Sequence, residues 1–260
     1  MNDIIHGDSA QILQTLETDS VDLVVTSPPY DNLRTYNDMD NWDFETIAQQ
    51  LARVVKDGGV VVWIVGDAMI DGSETGSSFK QALYFKDHGF KLHDTMIYQK
   101  VNFSNPSITR YHQIFEYMFV FSKGKPKTFN GIKDRANKYA GQTVWGRNTH
   151  RLPDGTLREQ EKNVISDYGL RYNVWSVKTV GQTKENPTSH PAVFPVQLAM
   201  DHITTWSNPG DLVLDPFAGS GTVGVACKNL NRNYLLIERD ETYYNEARER
   251  LGLDKRKLPL

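Results

Sequence analysis

The chain has 260 residues, a formal net charge of −3, and 39% hydrophobic and 23% charged residues. These proportions suit one globular domain with at most an inserted subdomain, and they exclude disorder and collagen-like repetition. The longest apolar run, Val60 to Val65, is far short of the ~20 residues a membrane-spanning helix needs. The opening MNDIIHGD carries acids where a secretory leader would be basic, so a soluble, cytoplasmic protein with no membrane partner is expected. Cys227 is the single cysteine, which excludes an internal disulfide and leaves too few thiols for a cysteine metal cluster; no metal is expected.

Ser9 to Leu16 reads as a first helix, and Val21 to Thr26 as a buried strand. Asp43 to Val55 places Phe44, Ile47, Leu51, Val54 and Val55 at helical spacing, and Asp57-Gly58-Gly59 ends that helix with a turn. A strand at Val60 to Val65 and a helix around Phe79 to His88 follow. Further on, Leu212 to Leu214 and Tyr234 to Ile237 read as strands, with helices at Gly221 to Leu230 and Glu241 to Leu251. Strand and helix alternate, which predicts an α/β fold with a doubly wound sheet covered on both faces.

That alternation fails between about Gly124 and Pro187, where Gly-Lys-Pro-Lys, Thr149 to Gly155 and Gly181 to Pro187 surround scattered Trp145, Tyr168, Tyr172 and Trp175. From Lys100 to Glu185 there are 15 Lys plus Arg against 7 Asp plus Glu, or +8, leaving −11 on the rest. A basic insert interleaved with aromatics on an acidic scaffold points to a polyanionic partner, although a decorated, solvated loop region has the same composition.

Asp211 to Thr222 places a strand, a tight turn and a helix start in succession. Gly219 and Gly221 let the backbone approach a ligand there, and the helix start offers free N–H donors. Gly219-Ser-Gly221-Thr-Val-Gly224 also satisfies the dinucleotide fingerprint, with Glu238 where an acid would hold ribose hydroxyls, so a nicotinamide oxidoreductase competes at this point. The lead-in Asp215-Pro216-Phe217 favours a hydrophobic shelf over a pyrophosphate cradle. With it the turn resembles that of S-adenosylmethionine-dependent methyltransferases. The resemblance implies that Asp215, Pro216, Phe217, Gly219, Gly221 and Thr222 line the cofactor and that Glu238 holds its ribose.

Thr26-Ser27-Pro28-Pro29-Tyr30 follows the strand from Val21. Adjacent prolines fix φ and lack N–H groups, so the loop presents acceptors in a rigid geometry. An exocyclic base amine is a poor nucleophile because its lone pair is delocalised into the ring. Accepting both its N–H bonds, with the Ser27 hydroxyl and the Pro28 carbonyl as the two acceptors, favours a pyramidal nitrogen, and Tyr30 would stack on a base drawn out of the helix. The loop resembles the [DNS]PP[YFW] motif of methyltransferases acting on adenine N6 or cytosine N4 in DNA. The order of amine loop, basic insert and cofactor turn resembles the β class of those enzymes.

The resemblance implies a Rossmann-like methyltransferase sheet with an inserted target-recognition region: residues 1–124 catalytic, 125–186 target recognition, 187–260 cofactor-binding. It adds Asp8, His190 and Pro191 to the cofactor site, although helix-start roles explain these letters too. It implies double-stranded DNA as partner, and leaves open a homodimer and a cognate restriction endonuclease. Within the basic segment Lys123, Lys125, Lys127, Arg135, Lys138, Arg147 and Arg151 are the candidate DNA contacts. Arg34 and Tyr36, in the loop Asp31 to Asp40, follow the catalytic motif directly, where a segment that orders over substrate and a mobile surface connection read alike. Methylation at cytosine C5 would need a cysteine nucleophile, and Cys227 follows Val225-Ala226 inside a helix rather than in a loop. A protein or RNA methyltransferase and a catalytically silent DNA-binding regulator are the remaining alternatives.

Overall fold

The structure is a computed structural model; it describes residues 2–29, 42–101, 108–143, 146, 148–159, 161–177 and 195–253. The chain divides into two compact units, Met1–Asn130 with Asn173–Leu260, and Gly131–Tyr172. In the first unit the chain runs β1 (Asn2–His6), α1 (Ser9–Thr15), β2 (Val21–Thr26), α2 (Phe44–Val54) and β3 (Val55–Val65). A small hairpin of β4 (Met69–Ile70) and β5 (Ser73–Glu74) leads to α3 (Ser77–Asp87), β6 (Lys91–Lys100) and β7 (Phe115–Ser122). The second unit holds two short antiparallel pairs, β8 (Arg135–Ala136) with β11 (Tyr168–Gly169) and β9 (Thr149–Arg151) with β10 (Leu157–Glu159). Back in the first unit come β12 (Val174–Val177), α4 (Val196–Trp206), β13 (Leu212–Asp215), α5 (Thr222–Asn229), β14 (Asn233–Glu238) and α6 (Glu241–Leu251).

Local chemistry sets the helix ends. Asp8, Asp43 and Asp240 each accept first-turn N–H bonds in front of α1, α2 and α6, and Gly252 at φ +68 closes α6. The main sheet has eight strands in the order β1-β14-β13-β2-β3-β7-β6-β12, parallel except where β7 runs against β3 and β6. Central β2 and β14 are almost wholly buried, as parallel strands covered on both faces must be.

Two cores result. Leu13, Ile47, Leu51, Ala82 and Phe85 from α1, α2 and α3 pack on Trp63, Phe119 and Phe121 of the sheet. On the opposite face Leu198, Ile203, Val223, Ala226, Ala247 and Leu251 from α4, α5 and α6 meet Leu23, Val62, Met118 and Leu236. From β2 the chain winds through α2 to β3, whereas from β13 it winds the other way through α5 to β14. The strand order therefore reverses between β13 and β2, and the carboxyl ends of these two neighbours flank the crevice where such sheets take their ligands.

The doubly wound α/β sheet is the one expected from the sequence, with additions. β1, β6, β12 and α4 have no counterpart among the apolar runs: β6 alternates exposed and inward residues, and edge strand β1 brings only Ile4 and Ile5. β3 begins at Val55 instead of after a glycine turn, because Gly58 N–H donates to the Lys123 carbonyl and the Gly59 carbonyl accepts from Lys123, extending the pairing with the β7 end of the chain. The compact second unit is shorter than residues 125–186, since β12 rejoins the main sheet by pairing with β6.

Phe85 is fully buried among Trp63, Phe44, Phe90 and Phe121, with ring centroids 4.8 to 5.7 Å away. Phe85→Ala should cost about 3–5 kcal/mol, read from urea unfolding; a loss below about 1 kcal/mol would mean that this core is not packed as described.

Candidate active site

The site begins with strand register. β13 lies parallel to β2, with Val213 opposite Leu23 and Leu214 opposite Val24, so the ends of the two strands emerge side by side, about 4.8 Å apart. Thr26, the last residue of β2, donates its Oγ1 hydrogen to Asp215 Oδ1 at 2.7 Å, and both residues are buried. The Phe217 N–H donates to the same oxygen at 3.0 Å. Ser27, Pro28 and Pro29 continue directly from Thr26; Pro28 is buried and Ser27 and Pro29 are half-buried. The proline corner and the glycine turn thus leave one edge of the sheet from adjacent strands. Tyr30, His190, Pro191, Arg147, Arg34 and Tyr36 lie outside the described residues.

The glycine turn is held from several sides. Gly219 and Gly221 take φ +50 and φ +79, and a Cβ on Gly221 would stand 3.0 Å from Ala247 Cβ, so both conformation and packing demand glycine there. The Gly219 N–H donates to Glu238 Oε2 at 2.7 Å and the Asp240 N–H to Glu238 Oε1 at 2.8 Å. The Ser9 hydroxyl donates to the Pro216 carbonyl, tying α1 to the turn. Asp8 accepts from Ala10 and Gln11 N–H at 2.9 and 3.3 Å and lies 3.8 Å from Arg239. Its capping role is thereby visible.

Electrostatics follow burial. Withdrawal from water pushes the Asp215 carboxyl up to about 7, with Glu238 adding repulsion and the Thr26 and Phe217 hydrogen bonds opposing the rise. Burial likewise raises Glu238, against the Asp240 and Gly219 N–H bonds. Gly221 precedes α5 as its N-cap, and no side chain among the described residues caps the helix, which leaves its first N–H groups suited to an anionic group. S-adenosylmethionine carries a ribose diol, a carboxylate and two cationic centres. A carboxylate at the end of β14, an uncapped helix start and a buried carboxyl on β13 match that set of groups.

The basic candidates separate. Lys123 donates to Asp19 at 2.8 Å and to the Val55 carbonyl at 2.9 Å, and its backbone pairs with Gly59. Thr26 pairs with Trp63, so Lys123 sits four strand residues back, about 13 Å towards the opposite edge of the sheet. Lys127 is held nearby through its N–H to the Gly58 carbonyl, and Lys125 lies between them in sequence, with its carbonyl against Gly58. In the second unit Arg135 lies 4.8 Å over the Tyr172 ring and bonds the Leu170 carbonyl, and Lys138 lies 5.4 Å over Tyr139. Arg151 bonds the Gly155 carbonyl.

Three residues to which the sequence assigns no role also shape the site. Thr26 joins the two motifs. Trp42 meets Phe217 edge-on at 5.0 Å. Arg250 of α6 reaches Ser220 and Thr222 in the turn. A hydroxyl directly after the apolar run Leu23-Val24-Val25 is the available signal for Thr26; Arg250, in the polar run Glu241 to Leu251, gives none.

A doubly wound sheet with a glycine turn and a proline corner at its reversal point is the architecture of a Rossmann-like methyltransferase. The family model described as DNA methylase, for N6 and N4 enzymes, matches residues 21–249. The chain belongs to this DNA methylase family. It is 51% identical over 237 residues, 89% of each chain, to the orphan methyltransferase M.BamHII of Bacillus amyloliquefaciens. It is 29% identical to the type II methyltransferase M.SmaI of Serratia marcescens, covering 95% of this chain and 90% of that one. Among solved structures, M1.HpyAVI in complex with SAM superposes with a TM-score of 0.65 at 26% identity, covering 97% of this chain and 100% of that chain. The cytosine-N4-specific PvuII DNA methyltransferase shares the fold, with a TM-score of 0.69 at 19% identity over 99% of this chain and 88% of that chain. No described helix is long and apolar enough to cross a membrane, and the described residues hold no cluster of three or more metal-ligating side chains.

Because folding raises the Asp215 carboxyl from its ordinary 3.8 to about 7, its stabilising contribution is complete below 3.8 and is lost as pH rises through 7. Relative to Asp215→Asn, which keeps an acceptor for Thr26 and Phe217, the wild-type protein should therefore lose stability across that window, by at most about 1.4 kcal/mol per pH unit. Parallel pH–stability curves from chemical denaturation would contradict it.

Proposed function

We propose that the protein is a site-specific DNA methyltransferase that moves a methyl group from S-adenosylmethionine to the exocyclic amine, cytosine N4 or adenine N6, of a base drawn out of the duplex. The observation that carries the reading is the Thr26–Asp215 hydrogen bond, which fixes the amine corner beside the cofactor turn. The cofactor supplies a methyl group already activated by its sulfonium. What remains for the protein is placement in line, the source of rate for a direct transfer without a covalent enzyme intermediate. Ser27 Oγ and the Pro28 carbonyl accept the two amine N–H bonds and localise the nitrogen lone pair; Tyr30 stacks on the base. The N–CH3 bond forms as the S–CH3 bond breaks, and one amine proton leaves through the acceptor corner.

Asp215, Pro216, Phe217, Gly219, Gly221, Thr222 and Glu238 form the cofactor wall in this reading, with Asp8, His190 and Pro191 beside it. The second unit reads the target, with Arg135, Lys138, Arg147 and Arg151 as its DNA contacts. Lys123 is left out of that set, because its amine is bonded to Asp19 and to the Val55 carbonyl; the exposed Lys125 and Lys127 remain candidate phosphate contacts from the first unit. The nicotinamide alternative falls with family membership. Cytoplasmic DNA is the substrate that this reading places before the enzyme.

Incubation with methyl-tritiated S-adenosylmethionine and bacterial DNA should label the DNA. Digestion to nucleosides and mass spectrometry should then yield N4-methylcytosine or N6-methyladenine. Ser27→Ala should lower the rate on the order of 100-fold, as removal of a transition-state hydrogen-bond partner does. Label appearing in protein or RNA instead, full activity in Ser27→Ala, or DNA binding with no transfer would refute the assignment. For the DNA face, Lys138→Ala should reduce the slope of log affinity against log salt by about 1. Lys123→Ala, which removes an amine already bonded to Asp19 and the Val55 carbonyl, should leave that slope unchanged; the reverse pattern would restore Lys123 to the DNA contacts.

A further inference from the structure

Among the described residues no side chain caps the α5 start, and the hydroxyls on either side of Gly221 are both bonded to Arg250. Arg250, in the last turn of α6, points one guanidinium nitrogen at the Ser220 carbonyl and at Ser220 Oγ, both at 3.1 Å, and at Thr222 Oγ1, at 3.2 Å. Ser220 and Thr222 are buried, and Arg250 is itself half-buried. Both hydroxyls flank Gly221, the first residue in front of α5. Short hydroxyl side chains in such positions fold back onto nearby backbone groups and compete for first-turn N–H donors. A cation that takes the oxygens of both hydroxyls removes that competition. It also anchors the turn to a helix whose Ala247 and Leu251 pack against Gly221 and Gly224.

We propose that Arg250 is a positioning residue for S-adenosylmethionine: by holding Ser220 and Thr222 it keeps the glycine turn in shape and the α5 N–H groups free for the cofactor's anionic end. The inference rests on the reading of the turn as the cofactor site. Arg250 touches no reacting atom. It acts through the turn, so its removal weakens cofactor capture and leaves the transfer step and DNA binding almost untouched. Lysine is long enough and charged but has no planar fork, and should restore part of the function.

The test uses the full chain and needs no DNA for its main readout. Calorimetric titration of the purified protein with S-adenosylmethionine should show Arg250→Ala weakening binding by about tenfold or more, the scale of one charge-assisted hydrogen bond lost from the turn. Arg250→Lys should fall between. In the protein without cofactor, deuterium uptake at the amides of residues 219–224 should quicken in Arg250→Ala, with β2 unchanged. In turnover assays KM for the cofactor should rise, with kcat and KM for DNA within about threefold of wild type. Should Arg250→Ala not fold, the double substitution Ser220→Ala, Thr222→Val, which leaves α6 intact, should reproduce the faster exchange. Unchanged cofactor affinity in Arg250→Ala, or exchange at 219–224 indifferent to all these changes, would overturn the proposal. A wild-type protein that binds no S-adenosylmethionine would overturn the reading of the turn itself, and the proposal with it.

Discussion

One buried hydrogen bond, from Thr26 to Asp215, joins the two halves of the candidate site, and much else is arranged to keep it. It spans residues 189 positions apart in the chain, so nothing local can create it. Sheet order does, by making β2 and β13 parallel neighbours although they lie in different parts of the sequence. A carboxyl withdrawn from water without partners would cost several kcal/mol. Asp215 keeps two donors, Thr26 and the Phe217 N–H, and its raised proton affinity shows that they offset burial only in part. Such a carboxyl is poised to answer a cation arriving beside it, the character of the donor it is proposed to face.

Around that bond the supports come from opposite faces of the sheet. α1 reaches the turn through Ser9, and α6 reaches it through Arg250 and Ala247. Glu238 closes it from the end of β14 by accepting the Gly219 N–H. The acid read as a ribose ligand thus has a structural duty as well. Its two oxygens accept the Gly219 and Asp240 N–H groups, and a carboxylate has about four acceptor sites, enough to add a hydroxyl. One carboxylate can shape the turn and hold a diol.

How much was legible in the sequence depended on whether the signal was local. Val21 to Thr26, Val60 to Val65 and Tyr234 to Ile237 show themselves because buried parallel strands are apolar on both faces. The proline corner and the glycine turn are equally plain, since proline and glycine are chosen for backbone geometry. β6 carries no apolar run because only two of its ten residues are buried, and β12 because four residues in a polar context carry little periodicity. Thr26 and Arg250 could not be found by spacing at all. Their partners are fixed only when the sheet closes. Lys123 shows the converse: in a basic stretch it reads as a phosphate contact, and only folding brings Asp19 and the Val55 carbonyl to its amine.

The chemistry left open to the site is narrowed further by its cysteine. Cys227 is fully buried in α5, and burial beside the Asp215 carboxyl pushes its thiol up to about 12. At neutral pH such a group is protonated and out of reach, whereas addition to a cytosine ring demands an exposed thiolate. Methylation at carbon through that residue is therefore closed. An amine already bears the lone pair that the new bond requires and lacks only its localisation. Two acceptors held rigid by adjacent prolines can supply that without any charged nucleophile. A fold that sets a proline corner beside a glycine turn, and hides its one thiol, is suited to transfer onto nitrogen.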